Sequence, residues 1–502
     1  MKNIVSSLAR LSAATSSSLT NTDEKALLLP EKVLQFGTGV LLRGLPDFFI
    51  NKANQQGLFN GRVVVVKSTD AGSTDAFQEQ DGLYTICQRG LEKGEALEEF
   101  VVSSAISRVL SAKGQWAEIL ACARNPSLQI IISNTTEVGI QLTDDQVNAT
   151  PPQSFPGKLT AFLYERFLAF GGSADSGMVV IPCELLVDNG KKLKDIVLAL
   201  AQQNGLETAF IDWLQTHNHF CSSLVDRIVT GMPEPAAAQE IYEKLGYQDD
   251  LLTVSEIYRL WAIEGDARVK EILSFEQADE GVLILPDIQP YRERKLRLLN
   301  GTHTLMVSLG FLSGLDTVGD CMKDAAMSRF VSDLMEKEII PSVPIDRAIA
   351  ESFAHEVKDR FSNPYIVHPL LSISVQCTSK MQMRNMQTLL NYYNKFQTIP
   401  PNLTLGFAAY LLFMKATKEE NGKYFGERKG ISYPIQDASA AYFYEKWQSL
   451  AIGYNHSIPA LVEAITSEVN IWGTDLNTVP GFTNAVSAHL EQMLEGNLQL
   501  SA

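Results

Sequence analysis

The fold class predicted for this 502-residue chain is an α/β domain on a buried parallel sheet, followed by a mostly helical domain. Three observations predict it. Short runs of β-branched residues, of which Arg62-Val-Val-Val-Val-Lys67 is the clearest, recur up to about residue 285 with amphipathic segments between them. This is the pattern of strands covered on both faces. A glycine pair, Gly37-Thr38-Gly39, joins the first such strand to a helical pattern. Beyond about residue 290 the strand runs become scarce and helical periodicity dominates. A chain of this length exceeds what one core usually supports. The expected division is an arm over 1–30, a dinucleotide-binding (Rossmann-type) α/β domain over 31–288 and a helical domain over 289–502.

Composition narrows the function classes. A formal net charge of −16 argues against nucleic-acid and anionic-membrane partners, which need cationic surfaces. Cys87, Cys122, Cys183, Cys221, Cys321 and Cys377 are scattered and form no Cys-x-x-Cys pair, which fits a reduced cytoplasmic protein. The Ser/Thr/Ala-rich stretch from Ser6 to Thr22 lacks the apolar core of a signal peptide and reads as a loosely held arm. No apolar run reaches transmembrane length.

In order along the chain, Lys32–Phe36 reads as a strand and Gly37 to Gly39 as a tight turn into a helix. Backbone amides there can approach a pyrophosphate, although Leu42 stands where a third glycine is usual. Phe36, Gly37, Thr38 and Gly39 are therefore candidate cofactor residues. At the end of the second strand Asp70 would favour NAD by accepting from the ribose hydroxyls, whereas Lys67 would suit the extra phosphate of NADP; NAD is the preferred reading. Leu128–Ser133, Met178–Pro182 and Val282–Leu285 are expected in the same sheet. The first is followed by Asn-Thr-Thr136-Glu137-Val-Gly139, and the second by Cys-Glu-Leu-Leu-Val-Asp-Asn189-Gly190, polar ends at the edge where such sheets bind ligands. Asp226-Arg227 lies in an apolar context and reads as a substrate contact or a structural ion pair.

Lys295, Asn300 and His303 punctuate an apolar helical run. On an α-helix, Asn300 falls about 140° and His303 about 80° from Lys295, so the three share one side. A lysine can exchange a proton with a substrate oxygen, and an asparagine amide can hold that oxygen as charge builds on it. Gly301 inside the helix costs about 1 kcal/mol relative to alanine, which a closely approaching ligand would explain. Alternatively, the three are polar groups near a solvated basic run, Tyr291-Arg-Glu-Arg-Lys-Leu-Arg297. A different class of enzyme would use His217-x-His219-x-Cys221 as metal ligands, although no complete four-ligand signature accompanies them.

Together these residues resemble the mannitol dehydrogenase family of polyol-specific long-chain dehydrogenases. Lys295-x-x-x-x-Asn300-x-x-His303, the glycine turn, the Thr136-Glu137-x-Gly139 strand end, Asn189-Gly190 and Val225-Asp226-Arg227-Ile228 occur in the family's order. Gln35-Phe-Gly-Thr-Gly39, Asp81-Gly-Leu-Tyr-Thr85 and Arg360-Phe-Ser-Asn-Pro-Tyr-Ile-Val-His368 are most similar to the members that act on hexuronates. The resemblance implies reversible, metal-independent hydride transfer between NADH and D-tagaturonate, giving D-altronate, in a monomer or small homo-oligomer. Fructuronate to mannonate and fructose to mannitol remain as alternative substrates. A non-catalytic NAD sensor would lack the Lys295, Asn300 and His303 conjunction. By the resemblance Lys295 is the general acid/base, Asn300 and Asn189 hold the reacting oxygen, and His303 orients substrate hydroxyls. How the carboxylate is held is not implied; His368, Lys380 and Arg384 are candidates, with Asp226 and Arg227 as further substrate contacts.

Overall fold

In the computed structural model the described residues are 8–12, 24–69, 73–135, 139–452 and 457–496. The chain forms two compact units, Met1–Arg89 with Ala96–Ile288, and Gly90–Glu95 with Gln289–Ala502.

The first unit is built on six parallel strands: β1 (Glu31–Phe36), β2 (Arg62–Lys67), β3 (Ile106–Ser111), β4 (Ile130–Ser133), β5 (Val179–Pro182) and β6 (His219–Phe220). Their order is β3-β2-β1-β4-β5-β6. Strand order reverses between β1 and β4, and in such sheets the crevice at the carboxyl ends beside that point binds ligands. The alternation of side chains divides the strands cleanly. Val33, Val63, Val65, Ile130 and Ile132 enter one core with Phe49, Trp261 and Phe275. Leu34, Phe36, Val64, Val66 and Ile131 enter the other with Phe155, Phe162 and Trp213. Both faces are therefore dry, as the β-branched runs predict.

Two expectations are corrected. Val282–Leu285 is not in the central sheet; it pairs in parallel with Leu260–Glu264, which runs antiparallel to Ser223–Asp226 in a separate three-stranded sheet. A buried apolar run looks the same in either sheet, and periodicity cannot choose between them. Part of the expected loose arm is docked: residues 9 and 11 exchange backbone hydrogen bonds with Gln248, and Leu11 is fully buried beside Leu83 and Tyr247.

The second unit is helical apart from one antiparallel sheet, Lys418–Glu420, Lys423–Arg428 and Ile431–Ile435. Its central helix, Pro401–Phe413, is apolar on nearly every side and packs against Thr302–Ser313 and Phe482–Leu494. Three π-helical segments, Lys295–Gly301, Leu334–Ile339 and Gln382–Met386, interrupt the α-helices. Among the described residues no helix is long and apolar enough to cross a membrane.

Glu338, in the second π segment, caps the central helix. Its carboxylate accepts from the backbone amides of Asn402 and Leu403 (2.7 and 2.8 Å) and from the Asn402 side chain (2.6 Å). Burial nevertheless outweighs these donors and pushes its pKa from 4.5 up to about 7. A carboxyl raised on folding contributes stability in acid that is lost as pH rises through the folded value. Urea unfolding of the wild type is therefore expected to show stability falling between pH 5 and pH 8. Glu338→Gln should flatten that fall by on the order of 1–3 kcal/mol; an unchanged slope would refute the assignment. Asp47, pushed by burial up to about 7, retains its own share of the slope.

Candidate active site

At the carboxyl ends of β1, β2 and β4 lies a cleft of about 530 Å³. Gly37, Thr38 and Gly39 line one side, Ser68, Thr69, Asn134 and Thr135 the sheet end, and Thr143, Ser154 and Lys158 further wall. Gly37 has φ +129°, a region open only to glycine, and a Cβ there would meet Leu42 Cδ1 at 3.0 Å and the Asn134 carbonyl at 3.1 Å. At Gly39 a Cβ would meet nothing within 4 Å, so the backbone faces open space. One glycine makes the turn and the other leaves it approachable, which fits a dinucleotide phosphate. The following helices are α1 (Val40–Gly44) and α2 (Pro46–Gln55), separated at Leu45 because Pro46 disfavours a helical predecessor. Arg43 braces the turn from behind, donating to the Thr38 carbonyl (2.8 Å) and to Thr253 Oγ1 (3.3 Å).

Several expected cofactor and substrate residues do other work. The Phe36 side chain is fully buried, its ring 5.2 Å from that of Phe155, so only its backbone borders the turn. Lys67 is 8% exposed, donates to the Thr69 carbonyl at 2.6 Å and is not among the residues that line the cleft. Asp70, Thr136 and Glu137 lie outside the described residues. Asn189 is fully buried: its Nδ2 donates to the carbonyls of Pro182, Glu184 and Ser223, and its Oδ1 accepts from the amides of Gly190 and Ser223. With every hydrogen-bonding position engaged, it ties β5 to Ser223–Asp226 and has nothing left for a substrate oxygen. Arg227 is likewise enclosed. Its guanidinium donates to the carbonyls of Gly44 and Glu256 and to Gln88 Oε1, and it stacks 4.8 Å from the Phe48 ring. Burial lowers its pKa to about 9. Asp226 is buried too, in register with Leu260. The side chains of Asn189 and Arg227 are thus engaged by the fold itself. His217, His219 and Cys221 do not converge, and no metal-holding cluster of three His, Cys, Asp or Glu occurs among the described residues.

In the helical unit, Gln289–Arg294, Lys295–Gly301 and Thr302–Ser313 form one continuous helical stretch with α, π and α geometry in turn. The α-helical angle expected between Lys295 and Asn300 is thereby corrected. In a π segment the i→i+5 repeat carries the chain about once round, which sets Asn300 one turn above Lys295. His303 follows in the α-helical part. The basic run is not a solvated face. Arg294 is buried between the rings of Tyr291 and Phe353 (4.8 and 4.2 Å), and Arg297 is buried beside Glu293 (3.0 Å).

Arg297 Nη1 also donates to the carbonyls of Met383 (2.7 Å) and Arg384 (3.0 Å), gripping the third π segment. Arg384 reaches back to the Asn300 carbonyl (3.4 Å) and Thr304 Oγ1 (3.0 Å). A Cβ on Gly301 would lie 2.9 Å from Asn385 Oδ1. The glycine expected to admit a ligand instead admits this neighbouring segment.

The clasp gathers a cationic group. The His303 ring stacks on Phe361 at 4.2 Å and meets His368 edge-on at 5.2 Å, while its Nε2 is buried without a hydrogen-bond partner among the described residues. Burial, followed by the fields of His368, Arg360, Arg384 and Lys380, holds the imidazole well below its ordinary pKa, hence neutral at pH 7. Lys380 is also lowered, by burial and then by Arg384; its ammonium donates to the Ile373 carbonyl at 2.9 Å. Thus His368, Lys380 and Arg384, separated from His303 by at least 65 residues of sequence, are brought around it. Arg360 was not singled out in the sequence, although it opens the segment that ends at His368.

Gly301→Ala should lower both thermal stability and turnover because the new methyl displaces Asn385, by roughly 1–3 kcal/mol in stability. Adding Asn385→Ala should recover part of each loss. Strictly additive losses in the double variant, read by thermal melts and kcat, would refute the close-approach account.

Known proteins share this architecture. The Rossmann domain model of mannitol dehydrogenase matches residues 31–277, and the mannitol dehydrogenase C-terminal domain model matches 287–494. A protein named altronate oxidoreductase from Yersinia pestis bv. Antiqua (strain Nepal516) is 40% identical over 475 residues, covering 94% of this chain and 96% of its own. A D-sorbitol dehydrogenase structure aligns with a TM-score of 0.78 at 20% identity, covering 98% of this chain and 99% of its own. Pseudomonas fluorescens mannitol 2-dehydrogenase, solved as a ternary complex with NAD and D-mannitol, gives 0.67 at 21% identity, with 97% and 98% covered. The chain belongs to the mannitol dehydrogenase family.

Proposed function

We propose that the protein interconverts D-tagaturonate and D-altronate with NAD(H), using Lys295 as general acid/base. The observation that carries this reading is the unpartnered His303 Nε2 set among Arg360, His368, Lys380 and Arg384. A polar sugar with an anionic end answers both features: a hydroxyl for the orphaned nitrogen and a carboxylate for Arg360, Lys380 and Arg384, with His368, its pKa lowered by burial, as an uncharged hydrogen-bonding neighbour. The chain's net charge of −16 makes a local cationic group necessary for capturing such a substrate. The 40% identity to a protein named altronate oxidoreductase over nearly the whole chain supports the same substrate.

The nicotinamide cofactor supplies the hydride acceptor and donor, and the α/β unit supplies its cleft. Lys295 delivers a proton to the ketone oxygen during reduction and takes it back during oxidation. Asn300, whose side-chain amide hydrogen-bonds to no described residue, is available to hold that oxygen as negative charge develops. His303, kept neutral, offers one nitrogen to a substrate hydroxyl. Lys380, Arg384, Arg360 and His368 hold the carboxylate; leaving it unpaired in such a site would cost several kcal/mol.

NADH oxidation by the purified protein should be fastest with tagaturonate when fructuronate and fructose are assayed in parallel, and faster than with NADPH. Lys295→Ala should reduce kcat by roughly 10²–10⁴-fold. Lys380→Met should raise KM for tagaturonate about tenfold or more with little effect on fructose. A wild type that prefers fructuronate or fructose would move the substrate, and one that turns over none of the three would sink the proposal.

A further inference from the structure

Lys158 sits one turn into α3 (Phe155–Phe170), on the wall of the cofactor cleft, and is the only cationic side chain among the described residues lining it. The other expected sources of positive field are weak or engaged. Helix α1 has five residues, too few to offer much dipole at its start. Arg43 is turned to Thr38 and Thr253, and Lys67, which donates to the Thr69 carbonyl, does not line the cleft. The start of α3 is already occupied: Asp145 accepts from the amides of Gln153 (3.1 Å) and Ser154 (2.8 Å), and Ser154 Oγ accepts from the Gly157 amide.

Lys158 itself is 4% exposed, and its one hydrogen bond among the described residues runs from Nζ to the Gln153 carbonyl at 2.6 Å. An ammonium has three donors, so two remain. Burying a cation with a single neutral acceptor is unfavourable unless an anion completes the site. Burial lowers its pKa, and the field of Asp145 offsets only part of that shift.

We propose that Lys158 binds a phosphate group of the dinucleotide cofactor, as the cationic counterpart of the Gly37–Gly39 turn. This rests on the cofactor reading above. The phosphate is one of the bridging pyrophosphate, the only phosphates that NADH carries, and nucleotide fragments test this.

Dissociation constants for NADH, ADP, 2′-AMP and adenosine would be measured by calorimetry on the full-length protein, its Lys158→Met and Lys158→Arg variants, at two salt concentrations. Removing one charge-assisted contact should weaken NADH about ten- to hundredfold. Adenosine should be unaffected, Lys158→Arg should retain most of the affinity, and the salt dependence should be shallower in Lys158→Met. Loss of ADP with 2′-AMP unchanged supports the pyrophosphate assignment, and loss of 2′-AMP with ADP and NADH unchanged overturns it. Wild-type affinity for NADH in Lys158→Met, or an equal loss of adenosine, overturns the inference. If Lys158→Met does not fold, Lys158→Gln takes its place under the same criteria. A wild type that binds no nucleotide overturns the cofactor reading and this inference together.

Discussion

The grip of Arg297 on the carbonyls of Met383 and Arg384 is the constraint on which the cationic cluster of the helical unit depends. It joins the stretch carrying Lys295, Asn300 and His303 to the segment carrying Lys380 and Arg384. Arg384 closes the clasp from the other side at Asn300 and Thr304. Buried guanidinium groups are expensive to desolvate and are retained where several fixed acceptors meet them. Here those acceptors lie on another segment of the chain, so satisfying Arg297 and aligning the two π segments are the same event.

The α/β unit uses buried polar side chains in a comparable way. Asn189 holds the end of β5 against the strand Ser223–Asp226, and Arg227 joins Gly44, Gln88 and Glu256. Each is fully satisfied and therefore specifies one arrangement of loops around the cleft. The turn itself remains nearly bare on its open side, with Gly39 facing space. A rigid surround with an uncovered backbone is what close approach by a phosphate requires.

The sheet was legible because its strands are apolar on both faces, and the cofactor turn because Gly37 and Gly39 stand at a strand end. Lys295, Asn300 and His303 were legible as one group, yet their angular relation was not, since nothing in Lys-Leu-Arg-Leu-Leu-Asn-Gly announces a π repeat. The partners of Asn189 and Arg227 were not legible for a common reason: a polar residue in an apolar context looks the same whether it awaits a ligand or is satisfied by backbone. Only three-dimensional partners separate those cases. His368, Lys380 and Arg384 were singled out from the need for a carboxylate partner, while Arg360 and Lys158 came to notice only in the fold, because their neighbours in space are distant in sequence or turned by one helical step.

The π segment at Lys295–Gly301 is, in effect, a helix that holds more residues than its length requires. Deleting one residue there would restore an α-helical repeat and leave the flanking helices in nearly the same phase, because the wide turn spreads one extra residue over the same rotation, but it would change the spacing of Lys295 and Asn300 within the segment. His303 would keep its face towards Phe361 and His368, while Lys295 and Asn300 would no longer stand in the same relation to it, although every side chain of the motif still stood in the sequence. Among relatives, a single-residue gap in this stretch would therefore mark a change of architecture at the site more decisively than most substitutions.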